Sequence, residues 1–184
     1  MRTMNKNLLL CLLSPSGGGK STIASKLEKR FGLVSVKSYT TRKPRENNPD
    51  DLNTHTFITF DEVEQYRDEI VASCTFNNNF YFTTRTMLQG CQIYVIDGCG
   101  LKQLKEKYHD KEIISIYLDV PPEITAQRME RRGDSDEAIM QRLQHDAEAF
   151  KGVKDMCDFV CDNSTQDKMN DICEFIRMLF EYKN

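Results

Sequence analysis

The sequence predicts an α/β protein in which a parallel sheet is flanked by helices. Short apolar or β-branched runs alternate with amphipathic stretches along most of the 184 residues, and this alternation is typical of βαβ units. A glycine-rich turn follows the first apolar run. Between residues 38 and 90 the pattern changes to short strands with polar flanks, which predicts a small inserted antiparallel lobe. We expect a single domain over 1–184, with a core at 1–37 and 91–184, the lobe at about 38–90 and a helical lid at about 128–146.

Four strand and helix pairs make up the predicted core. Each strand is a short apolar run, and each helix carries apolar residues at helical spacing. The pairs are Leu8–Leu13 with Thr22–Phe31, Gln92–Ile96 with Leu101–Tyr108, Ile113–Leu118 with Pro122–Arg132, and Phe159–Cys161 with Lys168–Phe180.

The lobe is predicted to hold three short strands and one helix. The helix runs from Asp61 to Arg67, and Asp61 is a candidate N-cap because aspartate accepts hydrogen bonds from the first turn. The strands are Phe57–Thr59, Val71–Phe76 and Phe80–Phe82.

The lid is predicted from the stretch RRGDSDEAIMQRL, residues 131–143. One helix ends near Gly133, and a second begins after Ser135 or Asp136, both of which are N-cap candidates. Two helices joined by a polar elbow with arginines on both sides are expected to form a mobile lid.

Composition and charge narrow the choice of partners. The chain has 25 basic and 28 acidic residues and a formal net charge of -3, so it has no overall positive field for nucleic acid or an anionic membrane. No apolar run is long enough to span a bilayer, and the N-terminus lacks the basic flank and cleavage site of a signal peptide. We expect a cytoplasmic protein, monomeric or homodimeric, that binds neither nucleic acid nor membranes.

Cysteine spacing favours free thiols. The seven cysteines form no CxxC pair, and their odd number would leave one over in a disulfide framework. A zinc site built from Cys157 and Cys161 with His109 or His145 is the alternative, but no ligand spacing supports it.

The stretch SPSGGGKST, from Ser14 to Thr22, has the pattern of a phosphate-binding loop. A strand, a glycine-rich turn and a helix opening with Lys-Ser-Thr place backbone N–H groups around a phosphate. Lys20 can reach the β- and γ-phosphates of ATP, and the Ser21 hydroxyl can bind Mg²⁺. The pattern GxxxxGK[ST] is met except at its first position, where Ser14 replaces glycine; a plain turn with a surface lysine is the alternative. The predicted ATP-binding residues here are Ser16, Gly17, Gly18, Gly19, Lys20, Ser21 and Thr22.

A second anion-binding cluster is predicted in SYTTRKPR. Arg42 and Arg45 lie on either side of Pro44, and two guanidinium groups in a rigid loop can hold a phosphate with bidentate geometry. Ser38 adds a hydroxyl. A solvated charged loop is the alternative.

With both clusters in this order, the chain resembles the guanylate kinase family over nearly its whole length. The motifs that carry the resemblance are SPSGGGKST, TTRKPR, FYFTT (80–84), VIDGCG (95–100), RMERRG, MQRL and FVCDN. The resemblance implies a P-loop core, a lobe for a nucleoside monophosphate, a lid, and Mg²⁺-dependent phosphoryl transfer from ATP.

The resemblance also implies roles for individual residues. Lys20, Arg42, Arg132 and Arg142 are the expected catalytic residues, the last two as lid arginines. Asn163 is expected beside the adenine of ATP. The expected acceptor-binding residues are Ser38, Arg42, Arg45 and Tyr81 for the phosphate, Thr83 for the guanine base, and Asp97 near the base and metal, with a helix N-cap as the alternative for Asp97.

Departures from the family pattern fall mainly in the lobe. Ala72 stands where the family usually has a glutamate that pairs with guanine, Phe82 replaces a glycine, His55 replaces a tyrosine, and Val95 replaces an acidic residue. We therefore expect a kinase for GMP, dGMP or another nucleotide, with an altered base pocket. The alternatives are a kinase for a phosphorylated sugar such as a ribose bisphosphate, and a non-catalytic binding module.

Overall fold

A computed structural model describes residues 4–44 and 51–182. Its strands are β1 (Leu8–Leu13), β2 (Ser38–Thr40), β3 (His55–Phe57), β4 (Ile70–Phe76), β5 (Asn79–Thr84), β6 (Ile93–Val95), β7 (Glu112–Asp119) and β8 (Phe159–Asp162). Its α-helices are α1 (Lys20–Phe31), α2 (Asp51–Thr54), α3 (Arg85–Gln89), α4 (Gly98–Lys107), α5 (Pro122–Arg131), α6 (Asp136–Ala149) and α7 (Gln166–Tyr182). Two 3₁₀ segments cover Asp61–Glu69 and Lys154–Met156.

The core sheet is parallel throughout, in the order β6-β1-β7-β8. Strand β1 is fully buried, and its side chains alternate between two apolar layers. Leu10 packs with Ile23 of α1 and Ile176 of α7 on one face, whereas Leu9 packs with Leu101 of α4 on the other. Because both faces of a parallel sheet are covered, a strand without polar residues is what the fold requires, and the predicted fold class is confirmed.

The lobe sheet has the order β3-β2-β5-β4. Strand β5 pairs antiparallel with β4, as expected for an antiparallel lobe. It also pairs antiparallel with β2, a strand that was not predicted. Strands β2 and β3 pair in parallel, with Ser38 opposite His55, so the expectation of a purely antiparallel lobe is corrected. The Asn77-Asn78 turn between β4 and β5 has positive φ at both residues, as a two-residue hairpin turn of this kind needs.

Two details of the lobe differ from the sequence predictions. The segment Asp61–Glu69 is a 3₁₀ helix whose N-cap is Phe60, so Asp61 is not the cap. Glu62 instead turns back and accepts hydrogen bonds from the Thr59 N–H and hydroxyl, which holds the start of the helix.

Phe82 lies in an aromatic cluster, away from any ligand-accessible surface. It is 1% exposed, and its ring stacks on Tyr39 at 5.0 Å and on Phe80 at 5.4 Å, with Tyr66 tilted against it at 5.7 Å. Phe82, which replaces a glycine of the family pattern, is therefore a core residue of the lobe, because its bulk fills the aromatic cluster.

The predicted lid consists of α5 and α6 joined by a sharp turn. Gly133 has a φ of 87°, a conformation that glycine adopts at low cost. The Ser135 side chain accepts a hydrogen bond from Ala138 N and caps α6, as predicted.

Within the described residues, none of the helices has both the length and the apolar character that crossing a bilayer requires. All seven cysteines are free. The described residues contain no group of three or more His, Cys, Asp or Glu that could hold a metal ion.

Candidate active site

The glycine-rich loop between β1 and α1 is shaped by close contacts. Gly17 and Gly19 have φ values of 73° and 93°. A Cβ built on Gly18 would lie 2.0 Å from the Ser14 Oγ, so the serine at the first motif position fits because Gly18 has no side chain. Gly19 caps α1 without a side-chain hydrogen bond, which leaves the first backbone N–H groups of the helix for an anion.

Lys20 lies folded against this loop. Its ammonium donates to the carbonyl oxygens of Ser14 and of Pro15, the latter at 3.0 Å. Burial lowers the pKa of Lys20 to about 8, and the carboxylates of Asp146 and Asp97 oppose that shift. The lysine is therefore still largely cationic at neutral pH, next to the backbone N–H groups of the first turn of α1.

Asn163 and Arg128 support the loop from behind. The buried Asn163 amide donates to Gly18 O at 2.8 Å, and Arg128 donates to Gly17 O at 3.3 Å and to Asn163 O at 2.7 Å. Asn163 was expected beside the adenine, but its side chain lies beneath the loop. A Cβ on Gly19 would come within 2.5 Å of the Asn163 amide nitrogen, which shows how closely the two pack.

Arg128 borders a second cavity, of about 310 Å³, between α5 and the start of α7. Ser164, Gln166 and Met169 line the wall opposite α5. The sequence analysis assigned no role to Arg128; its signal was a position four residues before Arg132 in the α5 segment.

A cleft of about 240 Å³ joins the loop to the lobe. It is lined from four sides: by the loop, by the lobe, by the segment from β6 to the start of α4, and by the C-terminal end of α6. The predicted site residues that line it are Ser16, Lys20, Ser38, Tyr81 and Asp97. The unpredicted ones include His55, Ser73, Cys74, Tyr94, Asp146 and Phe150.

The parallel pairing of β2 and β3 forms the lobe side of the cleft. It places Ser38 Oγ 3.0 Å from His55 Nδ1, and the His55 ring lies edge-on to Tyr81 with centroids 5.8 Å apart. Three side chains that can donate to an anion thus meet at one place.

Arg42 is held next to this group by an acidic residue that the sequence did not single out. Its guanidinium makes two hydrogen bonds to the Asp51 carboxylate, of 2.5 and 2.6 Å. The Arg42 side chain is only 10% exposed and the Asp51 side chain 3%. The guanidinium also lies 5.1 Å from the centre of the Phe57 ring. The bond to Asp51 raises the pKa of Arg42 above its usual value. Arg45 lies outside the described residues.

Strand β4 forms the wall beside Asp97. Ala72 is 1% exposed and belongs to the core layer, whereas Ser73 and Cys74 face the cleft. Gln103 of α4 fixes Ser73 by accepting from its N–H at 3.1 Å and its hydroxyl at 3.2 Å and by donating to its carbonyl at 2.9 Å. Thr83, expected to contact the base, is fully buried and does not line the cleft.

Asp97 is the N-cap of α4, as the alternative prediction had it, and it also lines the cleft. Its Oδ1 accepts from Gly100 N at 2.6 Å and caps α4, and the residue lines the cleft. The cap fixes the carboxylate at the carboxyl end of the parallel sheet, where ligands of such folds bind.

The lid arginines do not line the cleft in this structure. Arg132 is half-exposed and paired with Asp134, although it is close enough to act on the pKa of Lys20. Arg142 is half-buried on α6. One turn further along that helix, Asp146 reaches the loop itself and accepts from Ser16 N at 2.6 Å; its i+4 spacing from Arg142 was the only available sequence signal.

Known proteins share this sequence and architecture. A family model described as an AAA domain matches residues 10–151, so the chain belongs to the family that this model describes. A guanylate kinase from Agrobacterium fabrum is 34% identical over 150 residues, which are 75% of this chain and 67% of the relative. A guanylate kinase from Mesorhizobium japonicum is 35% identical over 180 residues, which are 91% of this chain and 80% of the relative.

A solved structure agrees in fold. The crystal structure of guanylate kinase from Anaplasma phagocytophilum matches with a TM-score of 0.66 and 22% identity, over 98% of this chain and 88% of that one. The resemblance inferred from the motifs is confirmed by the two relatives, whose identity extends well beyond the loop. The chain therefore belongs to the guanylate kinase family and is a phosphotransferase.

Proposed function

We propose that the protein transfers the γ-phosphoryl group of ATP to a nucleoside monophosphate, with GMP or dGMP as the leading acceptors. The observation that carries this proposal is a shared cleft, which Lys20 lines from the loop and Ser38 and Tyr81 line from the lobe. Direct transfer needs donor and acceptor in one such cleft, because positioning and charge stabilisation supply most of the catalysis.

The reaction needs no general base from the protein. A phosphate oxygen of the acceptor attacks the γ-phosphorus, the bond to the β–γ bridging oxygen breaks, and ADP leaves while the acceptor becomes a diphosphate. Lys20, cationic at pH 7 because its pKa is about 8, stabilises charge on the β- and γ-phosphates. Arg132 and Arg142 approach the transferred group when the lid closes.

The Ser21 hydroxyl suits the Mg²⁺ that accompanies ATP. It is exposed in the first turn of α1, beside the N–H groups that Gly19 leaves uncapped, and hydroxyl oxygen is a ligand type that Mg²⁺ accepts. Bound with ATP, Mg²⁺ neutralises charge on the β- and γ-phosphates.

Donor and acceptor occupy opposite sides of the loop in this proposal. The donor phosphates lie along residues 16–22, and the donor base lies in the cavity beside Arg128 and Gln166. The acceptor phosphate lies against Ser38, Tyr81 and Arg42, and the acceptor base lies towards Asp97. Asn163 contributes by fixing the loop.

A second acceptor class follows from the wall formed by β4. Ala72 is buried in the core layer and offers no carboxylate to the cleft, and the neighbouring hydroxyl of Ser73 is already bonded to Gln103. A site that lacks partners for the polar edge of guanine discriminates less against other acceptors. Another nucleotide or a phosphorylated sugar is therefore the second candidate.

The test is ADP formation from ATP and Mg²⁺ with GMP, dGMP, AMP, CMP, UMP, dTMP and ribose phosphates as acceptors. Lys20→Ala is expected to abolish turnover, and the matched control Lys29→Ala, at an exposed position of the same helix, is expected to retain it. Turnover of GMP or dGMP alone supports the first proposal, and turnover of a different acceptor supports the second. No ADP with any acceptor would refute both. The cytoplasmic location and the monomeric or dimeric state remain predictions from the sequence.

A further inference from the structure

The carboxylate of Asp146 binds the phosphate loop directly. Its Oδ2 accepts the Ser16 N–H at 2.6 Å, and the side chain is 11% exposed. Among the charged groups that act on the pKa of Lys20, Asp146 has the largest effect. A mostly buried anion thus lies on a loop whose backbone donors and lysine are suited to phosphate.

Neighbouring side chains connect this carboxylate to the lobe. Its Oδ1 lies 3.2 Å from His145 Nδ1, and the His145 ring is edge-on to Phe76 with centroids 4.7 Å apart. Phe76 ends β4 at the tip of the β4–β5 hairpin. The contacts therefore run from the hairpin through α6 to the loop.

This carboxylate and the phosphates of a donor cannot share the site favourably. Phosphate oxygens beside Ser16 N and Lys20 would meet a like charge in a place shielded from water, where repulsion is strong. A ligand that binds only one of two states has an apparent Kd equal to its intrinsic Kd divided by the fraction of the protein in that state. Releasing Asp146 is then part of the free energy of donor binding.

We propose that Asp146 is an internal competitor for the phosphate loop, which it occupies until the phosphates of a nucleoside triphosphate displace it. The inference rests on the proposed function for the identity of that donor. Displacement moves α6 and separates His145 from Phe76, so donor binding also releases the β4–β5 hairpin. The empty protein is thereby held in a latched state, with the lid on the loop.

Asp146→Asn tests the proposal, because it removes the charge and keeps the shape. The probe is an ATP analogue with a non-hydrolysable β–γ bridge, titrated calorimetrically into the full chain. We expect about tenfold tighter binding, since a charge-assisted hydrogen bond of this kind holds the latched state in roughly tenfold excess. Glu148→Gln removes one charge from an exposed position of the same helix and is expected to leave the Kd unchanged.

Thermal unfolding of the same variants gives a second readout. Without nucleotide, Asp146→Asn is expected to melt below wild type, and saturating analogue is expected to stabilise it by more than it stabilises wild type. If Asp146→Asn binds the analogue no more tightly than wild type, the proposal is overturned, because the carboxylate then does not compete. The proposal would also be overturned if Glu148→Gln lowered the Kd of the analogue as much as Asp146→Asn does, because the effect would then come from net charge. Wild type that binds no analogue would refute the proposed function together with this inference.

Discussion

Asp51→Asn is expected to destabilise the protein and to weaken acceptor binding. The change removes the carboxylate charge and replaces one of its two acceptor oxygens with an NH2 group, so the Arg42 guanidinium loses its ion pair and one of two hydrogen bonds, of 2.5 and 2.6 Å. The Arg42 side chain is only 10% exposed and the Asp51 side chain 3%. Breaking a buried ion pair costs about 3–5 kcal/mol. Arg42 keeps its contacts with Lys43 O and the Phe57 ring, so we take the lower end, about 3 kcal/mol. At about 2–4 °C per kcal/mol for a chain of this size, the melting temperature is expected to fall by about 6–12 °C.

The assay pairs thermal unfolding with steady-state kinetics. Because the guanidinium loses its fixed orientation, the KM for the acceptor is expected to rise about tenfold while the KM for ATP stays unchanged. Asp61→Asn, which removes an exposed charge from the same lobe, is the matched control and is expected to behave like wild type. An Asp51→Asn variant that melts with wild type would show that the ion pair adds no stability. A lower acceptor KM would show that Asp51 competes with the acceptor, and either result would refute the reasoning.

Three further predictions follow from the loop and from strand β4. The kcat/KM for ATP is expected to fall as pH rises above about 8, the pKa to which burial lowers Lys20. Between pH 8 and 10.5 the unfolded chain binds more protons at this lysine than the folded protein does, so the contribution of Lys20 to stability rises with pH in that range. A pH profile of kcat/KM checks the first sign, and melting temperatures over the same pH range check the second. Gly18→Ala is expected to abolish ATP binding, because the new Cβ would lie 2.0 Å from the Ser14 Oγ. Adding Ser14→Gly removes that contact and should restore part of the ATP affinity measured by calorimetry. If the double variant recovers no affinity, the clash lies with another atom. Gln103→Ala removes the three hydrogen bonds that hold Ser73. We expect the KM for the acceptor to rise several-fold and the Kd for ATP to stay unchanged. An unchanged acceptor KM would exclude Ser73 from the acceptor site.

The elements that the sequence predicted well are those governed by local pattern. Strand β1 and the loop after it follow from one apolar run and one run of glycines, and Ser135 caps α6 as a serine before an amphipathic stretch should. Strand β2 was missed because its residues, Ser38 to Thr40, are mostly polar and stay in place by pairing with β3 and β5. No local sequence pattern encodes the pairing of β2 with β3 and β5.

The candidate site shows the same limit. Lys20 and Ser38 were found because loop motifs act over a few residues. Asp51 and Asp146 were missed because the role of each depends on a tertiary contact that no local pattern shows. Asp51 binds Arg42, and Asp146 binds Ser16, which is 130 residues away in the chain. Thr83 was assigned to the base by the family resemblance alone, and tertiary packing buries it away from the cleft.

The position of β4 decides which parts of the lobe can move. Val71 and Ala72 lie in the same apolar layer as Leu101 of α4 and Leu9 of β1, and Gln103 ties the next residue to α4. The first half of β4 is therefore packed as part of the core, although it lies within the segment 38–90 that forms the lobe. A hinge that closes the cleft must then lie beyond Ser73. The wall beside Asp97 stays in place while the surface that carries Ser38, His55 and Tyr81 moves towards it.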